Sequence, residues 1–177
     1  MKKQILLGLG SKAQVGKDFA AAGLKQYFDV ERIAFADALK ADLSLLFNIN
    51  KLDFHGLCED IEDKTKIRPL MCEYGQIMRH FYPDVWIDRA LSGRVFDHQV
   101  TIITDVRFPN EVKRIKALGG YYIDIQTDTP PANETETHYA PIMRSLADFI
   151  VHNDFDSKYI QDMVTLVNQL FHENPED

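Results

Sequence analysis

The sequence has no long hydrophobic run, only two cysteines and fewer basic than acidic residues. No apolar run approaches the roughly 20 residues of a transmembrane helix, and the N-terminal residues show no cleavage region of a secretory signal. Cys58 and Cys72 have no metal-ligand spacing and fit a reducing compartment. The net charge of −7 argues against broad binding to nucleic acids or anionic membranes. We therefore expect a cytoplasmic protein that holds any anionic ligand with a local cluster of Lys and Arg.

The order of apolar runs predicts the fold class. The chain of 177 residues is long enough for one domain with a sizeable core. Apolar runs predict strands at 3–9, 32–35, 100–104, 121–125 and 149–151. Helical spacing of apolar residues predicts helices at 16–28, 39–47, 67–81, 85–91, 112–118 and from about 156. Strands that alternate with helices predict a parallel five-stranded α/β sheet, whose ligands lie beyond the carboxyl ends of its strands.

Three stretches of the chain show no such pattern. Residues 48–65 are mixed and charged, without a clear period. Residues 127–141 contain three prolines and several acids, so we expect a mobile loop or disorder there. The tail at 173–177 is expected to fray.

The first predicted loop has the composition of a phosphate-binding loop. Residues 8–19 read Gly-Leu-Gly-Ser-Lys-Ala-Gln-Val-Gly-Lys-Asp-Phe, between a strand and a helix. Glycine lets backbone N–H groups turn towards a phosphate, and the helix N-terminus adds further N–H groups and the positive end of its dipole. Lys17 would supply the charge that follows the phosphates during transfer. The candidate ATP-binding residues are Ser11, Lys12, Ala13, Val15, Gly16, Lys17 and Asp18.

This loop departs from the standard pattern G-x-x-x-x-G-K-[ST] at two positions. Ser11 replaces the first glycine, and Asp18 stands where a magnesium-binding hydroxyl residue is usual. The simpler alternative is a strand-to-helix turn with an exposed lysine.

Four short motifs are distributed along the chain: Gly16-Lys17-Asp18, Phe35-Ala-Asp-Ala-Leu-Lys40, Ile103-Thr-Asp-Val-Arg-Phe-Pro-Asn-Glu111 and Leu118-Gly-Gly120. Together they resemble the deoxynucleoside monophosphate kinases of tailed bacteriophages. Residues 68–86, which include Gly75, Arg79, Pro83 and Trp86, resemble the nucleotide-binding helices of that family. The resemblance covers about residues 4–167, and the stretch at 105–111 is its most specific part.

This resemblance implies a fold, a reaction and two cofactors. The implied fold is a P-loop NTPase three-layer sandwich, a single kinase domain over 1–177. It would have a nucleoside monophosphate-binding helical region at about 36–95 and a lid-like loop at about 127–145. The implied reaction transfers the γ-phosphate of ATP, with Mg²⁺, to a deoxynucleoside monophosphate.

The residues after the third strand suit the phosphates and the metal. Asp105 leaves a predicted buried strand beside the loop, and Mg²⁺ prefers one or two carboxylates with phosphate oxygens and waters. A helix cap is the alternative for Asp105, while Asp18 is the second candidate metal ligand. Arg107 suits bidentate contacts to phosphate, although an ion pair with Glu111 competes with that role.

The acceptor site is predicted on the helices between the second and third strands. Arg68 and Arg79 are about three helical turns apart, so they project from roughly one face and could hold the acceptor phosphate. Solvated surface arginines are the alternative. Trp86 could stack on a base or pack in the core. The resemblance adds three further acceptor-binding residues: Asp37, Lys40 and Gly75.

The lid-like segment departs most from the family. Related kinases bring an arginine from the lid to the transferring phosphate, but residues 127–141 contain no Lys or Arg. Arg144, just beyond them, is the remaining arginine nearby and our fourth candidate catalytic residue, with Lys17, Asp105 and Arg107. The departures leave two alternatives open: a catalytically impaired relative that binds nucleotides or a protein, and a kinase for another small phosphorylated acceptor. A homodimer, and a host cytoplasm for a phage-encoded protein, are also left open.

Overall fold

The centre of the fold is a five-stranded parallel sheet with the strand order β2-β3-β1-β4-β5. The strands are β1 Ile5–Gly10, β2 Val30–Ile33, β3 Val100–Ile103, β4 Tyr121–Gln126 and β5 Phe149–His152. The helices are α1 Lys17–Leu24, α2 Phe35–Ile49, α3 Phe54–Glu59, α4 Ile61–Phe81, α5 Val85–Leu91, α6 Pro109–Ala117, α7 Glu134–Ser145 and α8 Lys158–Glu173. This computed structural model describes residues 3–10, 12–59, 61–128, 130–131, 134–156 and 158–173. The predicted parallel α/β sheet is confirmed.

The chain divides into two compact units. The sheet unit comprises Met1–Ile33 and Val95–Asp177, and the helical unit comprises Ala34–Arg94. The helical unit covers nearly the residues predicted to bind the acceptor, about 36–95, and this role stays a prediction. The single kinase domain over 1–177 also stays a prediction.

Helices cover both faces of the sheet within the sheet unit. On one face, side chains of β1 such as Leu7 and Leu9 pack in one core cluster with Leu24 of α1 and Met163 of α8. On the other face, a Cβ at Gly8 would lie 2.5 Å from the side chain of Ile115 on α6. The apolar run of β1 is therefore buried on both sides, as expected for a central parallel strand.

Two stretches in the first half of the chain differ from what the sequence pattern indicated. The second strand ends at Ile33 and not at residue 35, because Phe35 already begins α2. Asp37 lies in the first turn of α2, where a negative charge interacts favourably with the helix dipole. Residues 48–65, which showed no clear period, contain α3 and the start of α4.

The prediction of a mobile loop or disorder at 127–141 is wrong where it overlaps α7, from Glu134 onwards. Pro141 lies inside this helix, and Met143 is buried at 1% exposure. Tertiary contacts thus stabilise a helix that the composition does not favour. Residues 174–177 of the predicted frayed tail lie outside the described residues. In the described part of the chain, each helix is too short or too polar to span a bilayer.

Candidate phosphate-binding site

The loop between β1 and α1 has the strained backbone of a tight phosphate-binding turn. Gly16 has a φ of 87°, and Gln14 has a φ of 58°, which is uncommon for a residue other than glycine. The carbonyl of Gly16 accepts the N–H of Ala20 at 2.8 Å, which starts α1. Ser11, a predicted ATP-binding residue, lies outside the described residues.

Two residues from the far end of the chain hold this loop from behind. The side-chain amide of Asn153 donates to the carbonyl of Val15 at 3.0 Å, and the hydroxyl of Tyr159 donates to the carbonyl of Gly16 at 3.3 Å. Asn153 is buried, and a Cβ at residue 16 would collide with its amide nitrogen. Both the backbone conformation and the lack of space therefore require glycine at position 16. The support that Asn153 and Tyr159 give to this loop is not indicated by any local sequence signal.

Lys17 is buried, so the alternative of an exposed lysine at a simple turn is wrong. The residue is only 8% exposed, and its ammonium donates a hydrogen bond to the carbonyl of Lys12. Burial lowers the pKa of Lys17 to about 8, and the charge of Arg107 acts in the same direction. The charges of Glu136, Asp105 and Asp18 partly oppose this lowering. A buried ammonium is poorly solvated, so an anion beside it is favourable.

The two residues predicted after β3 lie within electrostatic range of Lys17. Asp105 is half-buried, and Arg107 donates from Nη1 to Oε1 of Glu136 at 3.0 Å. The carboxylate of Glu111 accepts the backbone N–H groups of Arg107 at 2.6 Å and Phe108 at 3.0 Å. Glu111 therefore caps the start of α6 and fixes the backbone from which Arg107 projects.

Asp18 is paired with Arg32 on β2. Its Oδ1 accepts a hydrogen bond from Nε of Arg32 at 2.9 Å. Burial raises the pKa of Asp18, but the hydrogen bond and charge of Arg32, together with smaller effects that include the charge of Lys17, leave this pKa below its ordinary value. Within the described ranges no group of three or more His, Cys, Asp or Glu is arranged as a metal site. The predicted metal-binding roles of Asp18 and Asp105 stay predictions.

Glu136 on α7 contacts the phosphate loop, although the sequence pattern gave no reason to single it out among the acids of residues 127–141. Its Oε1 accepts the backbone N–H of Ala13 at 3.0 Å and the guanidinium of Arg107 at 3.0 Å. The residue is 6% exposed. A carboxylate from the predicted lid thus contacts the phosphate loop, and its sequence neighbourhood carries no signal of that contact.

The remaining predicted residue of this segment is Arg144, which is exposed in the last turn of α7. Lys12, near the start of the phosphate loop, donates from its ammonium to the carbonyl of Thr127 at 3.4 Å. The catalytic role of Arg144 stays a prediction.

The predicted acceptor-binding residues of the helical unit lie on two helices, α2 and α4. Arg68 is exposed and Arg79 is half-buried, both on α4. Asp37 and Lys40 form an ion pair of 3.8 Å within α2. Their roles in acceptor binding stay predictions.

Trp86 packs in the core of the helical unit. It is 1% exposed, and its indole N–H donates to the carbonyl of Gly75 at 3.2 Å. Tyr74, tilted against Trp86, donates its hydroxyl to Asp42 at 3.0 Å. Of the two alternatives for Trp86, core packing is the one that the structure shows, and the carbonyl of Gly75 is its hydrogen-bond acceptor. The predicted contributions of Trp86 and Gly75 to acceptor binding stay predictions.

Known proteins similar to this chain are kinases. A protein of Acanthamoeba polyphaga mimivirus, whose name assigns it as a deoxynucleotide monophosphate kinase, is 26% identical to this chain. The alignment is 189 positions long with its gaps, and it covers 93% of this chain and 96% of that protein. Shikimate kinase from Bacteroides thetaiotaomicron is 12% identical with a TM-score of 0.46, and covers 95% of this chain and 98% of its own. Dephospho-CoA kinase from Campylobacter jejuni is 13% identical with a TM-score of 0.47, over 99% and 100% of the two chains.

The assignment to a family depends on the match to a family model. The sequence model for phosphomevalonate kinase matches residues 9–120, more than half of the chain. This span contains the phosphate loop, the helical unit and the residues after β3 that surround Lys17. The chain therefore belongs to the phosphomevalonate kinase family.

Proposed function

We propose that this protein transfers the γ-phosphate of ATP to a deoxynucleoside monophosphate, which gives ADP and a deoxynucleoside diphosphate. The observation that carries the proposal is the buried Lys17 in a phosphate loop, with Arg107 and Asp105 in electrostatic range. The viral relative, aligned over nearly its full length, favours a deoxynucleotide as the acceptor.

The chemistry proposed here relies on positioning and charge neutralisation. Lys17 and the loop N–H groups would hold the β- and γ-phosphates, and Arg107 would contact the acceptor phosphate or the transferring group. A side-chain base is not needed, because an oxygen of the acceptor phosphate is already ionised when it attacks the γ-phosphorus. The bond from that phosphorus to the bridging oxygen of ADP breaks in the same step. Arg79 and Arg68 stay candidates for the acceptor phosphate.

The carboxylates of the sheet unit fit the donor chemistry of a magnesium site. Asp105 and Asp18 both act on the charge of Lys17, and Mg²⁺ prefers one or two carboxylates together with phosphate oxygens. Both carboxylates stay candidates, and Asp18 would have to share its Oδ1 with Arg32, to which it is hydrogen-bonded. Held by these carboxylates, Mg²⁺ would supply positive charge against the charge that develops on the phosphates during transfer.

A second acceptor is favoured by the family match. The matched model is that of phosphomevalonate kinase, so phosphomevalonate is a candidate small phosphorylated acceptor. The loop chemistry is the same for both acceptors, and the difference would lie in the acceptor-binding residues.

A coupled assay of ADP release distinguishes these functions. The full chain is incubated with ATP, Mg²⁺ and one acceptor at a time: each of the four deoxynucleoside monophosphates, then phosphomevalonate. We expect turnover with at least one deoxynucleoside monophosphate, above the rate of ATP hydrolysis without acceptor. Turnover with phosphomevalonate alone would replace the proposed acceptor, and nucleotide binding without any turnover would support the impaired relative.

A further inference from the structure

The carboxylate of Glu136 lies where the phosphate loop would receive an anion. Its Oε1 accepts the N–H of Ala13, a residue of the loop, and the same oxygen accepts Nη1 of Arg107. The carboxylate also contributes to holding the proton on Lys17. These three groups are a backbone N–H, a guanidinium and an ammonium, the donors that a phosphate oxygen would use.

An N–H group serves one acceptor well, because a good hydrogen bond needs near-linear geometry. While Oε1 of Glu136 is 3.0 Å from the nitrogen of Ala13, a phosphate oxygen cannot occupy the same position. A phosphate placed beside the carboxylate would also meet a like charge in a poorly solvated site, which is unfavourable. Occupation by Glu136 and by phosphate at Ala13 is therefore mutually exclusive.

The helix that carries Glu136 is docked beside this site. Met143 on α7 is buried, and the ring of Tyr139 packs edge-on against Phe108 at 5.2 Å between centroids. Residues of α7 and Arg107 surround a small pocket between them. The contact of Glu136 with the loop is thus supported by apolar packing along the same helix.

We infer that Glu136 is an internal substitute for phosphate, which occupies the loop in the nucleotide-free protein and must leave before phosphate can bind. The inference rests on the proposed function of the loop. It assigns α7 the role of a gate that competes with nucleotide, a role beyond the arginine-donating lid expected from the sequence. The opposing view is that Glu136 only orients Arg107, in which case its loss would weaken the binding of phosphate.

Calorimetric titration with inorganic pyrophosphate separates these two roles. The proteins are the wild-type chain, Glu136→Gln and, as a matched control, Glu134→Gln, which changes an exposed carboxylate in the same helical turn. We expect Glu136→Gln to bind pyrophosphate about tenfold more tightly than the wild type. This factor corresponds to a contact of Glu136 with Ala13 in about nine tenths of wild-type molecules, which leaves about one tenth able to bind. The control variant should bind like the wild type, and thermal melts verify that all three proteins are folded.

The results also separate failure of the inference from failure of the proposed function. If the wild type binds pyrophosphate and Glu136→Gln binds it equally or more weakly, the inference is overturned. The proposed phosphate-binding function of the loop would still stand. If neither protein binds pyrophosphate or ADP, the proposed function of the loop is wrong and the inference is overturned with it.

Hydrogen exchange supplies a second measurement that does not depend on the stability of the variant. In the wild type, pyrophosphate should make the amides of α7 exchange faster, because the helix loses its contact with Ala13. Protection of α7 by pyrophosphate in the wild type would overturn the inference.

Discussion

The phosphate loop of the sheet unit and the predicted acceptor face of the helical unit differ in how their charged side chains are held. In the sheet unit, Lys17 is buried and interacts with Arg107 and Glu136, which come from two distant parts of the chain. In the helical unit, Arg68 is exposed, and Asp37 pairs with Lys40 one turn away. The loop is organised before any ligand is present, whereas Arg68 extends into solvent and the pair of Asp37 and Lys40 lies within one helix.

This difference has a physical origin in the two kinds of scaffold. Parallel strands bring their carboxyl ends to one edge of a sheet, so residues after β1 and β3 meet whatever their distance in sequence. A helix fixes only the face on which a residue lies, and a long side chain on that face keeps its freedom. We expect mutations in the loop to affect catalysis more strongly than mutations in the acceptor face.

The largest effect is expected from Lys17→Ala, which tests whether the loop performs phosphate chemistry at all. Loss of a preorganised charge at a reacting phosphate should lower kcat by about 10²–10³-fold. Steady-state assays should compare the kcat of Lys17→Ala with that of Lys25→Ala, a change at an exposed lysine just after α1. Turnover like that of the wild type in Lys17→Ala would refute the assignment of the loop.

Arginine substitutions on α4 test the other side of the comparison. Loss of a charged hydrogen bond of about 1.5–3 kcal/mol should raise the KM of the acceptor by roughly 10- to 150-fold, with little change in the KM of ATP. We expect the larger effect from Arg79→Ala, because Arg79 is half-buried and Arg68 is exposed. The exposed Lys66 on the same helix supplies the control, Lys66→Ala. Equal effects on the KM values of both substrates would place these arginines outside the acceptor site.

The pH dependence of stability measures how strongly the loop is desolvated. The pKa of Lys17 is about 8 in the folded protein against 10.5 ordinarily, so the unfolded chain binds this proton more tightly. At pH 7 the buried charge therefore destabilises the folded protein, and this penalty fades as the pH rises from 8 towards 10.5. Relative to Lys17→Met, the wild type should gain about 2 kcal/mol in free energy of unfolding between pH 7 and pH 10.

Urea unfolding of the wild type and Lys17→Met at pH 7, 8.5 and 10 provides this measurement. Taking the difference between the two proteins removes the contribution of other groups that titrate in the same range. A difference that stays constant with pH would mean that Lys17 has the pKa of a solvated lysine.

The smallest effect is expected from Arg144→Ala, at the end of α7. If α7 brings this arginine to the transferring phosphate, the change should lower kcat by about tenfold with little effect on ATP affinity by calorimetry. Lys113→Ala, at an exposed position on α6, is a suitable control. An active enzyme that tolerates Arg144→Ala would indicate that another cation, such as Lys12, supplies the charge.

The parts of the site that follow strands could be predicted from the sequence. The apolar runs of β1 and β3 defined where Lys17, Asp105 and Arg107 leave the sheet, and the structure places them within electrostatic range. Alternation of strands and helices was sufficient for the parallel sheet because each element carries its own apolar pattern.

The parts that could not be predicted depend on contacts between distant segments. Glu136 lies in a proline-containing acidic stretch with no helical period, and its helix is stabilised by burial of Met143. Asn153 lies in an ordinary polar stretch after a short edge strand, so nothing nearby in the sequence distinguishes it. The residues next to Trp86 in the sequence are apolar, which fits either a base-binding face or a core. Only the three-dimensional packing around the indole distinguishes these alternatives.

The support of the loop by Asn153 and Tyr159 has a consequence for synthesis of the protein. The loop lies within the first twenty residues, but the side chains that hold the carbonyls of Val15 and Gly16 are encoded near the other end of the chain. The nascent polypeptide therefore carries an unfinished loop on the ribosome until residue 159 has left the exit tunnel. The phosphate loop is therefore expected to reach its final shape only after these C-terminal side chains can pack behind it.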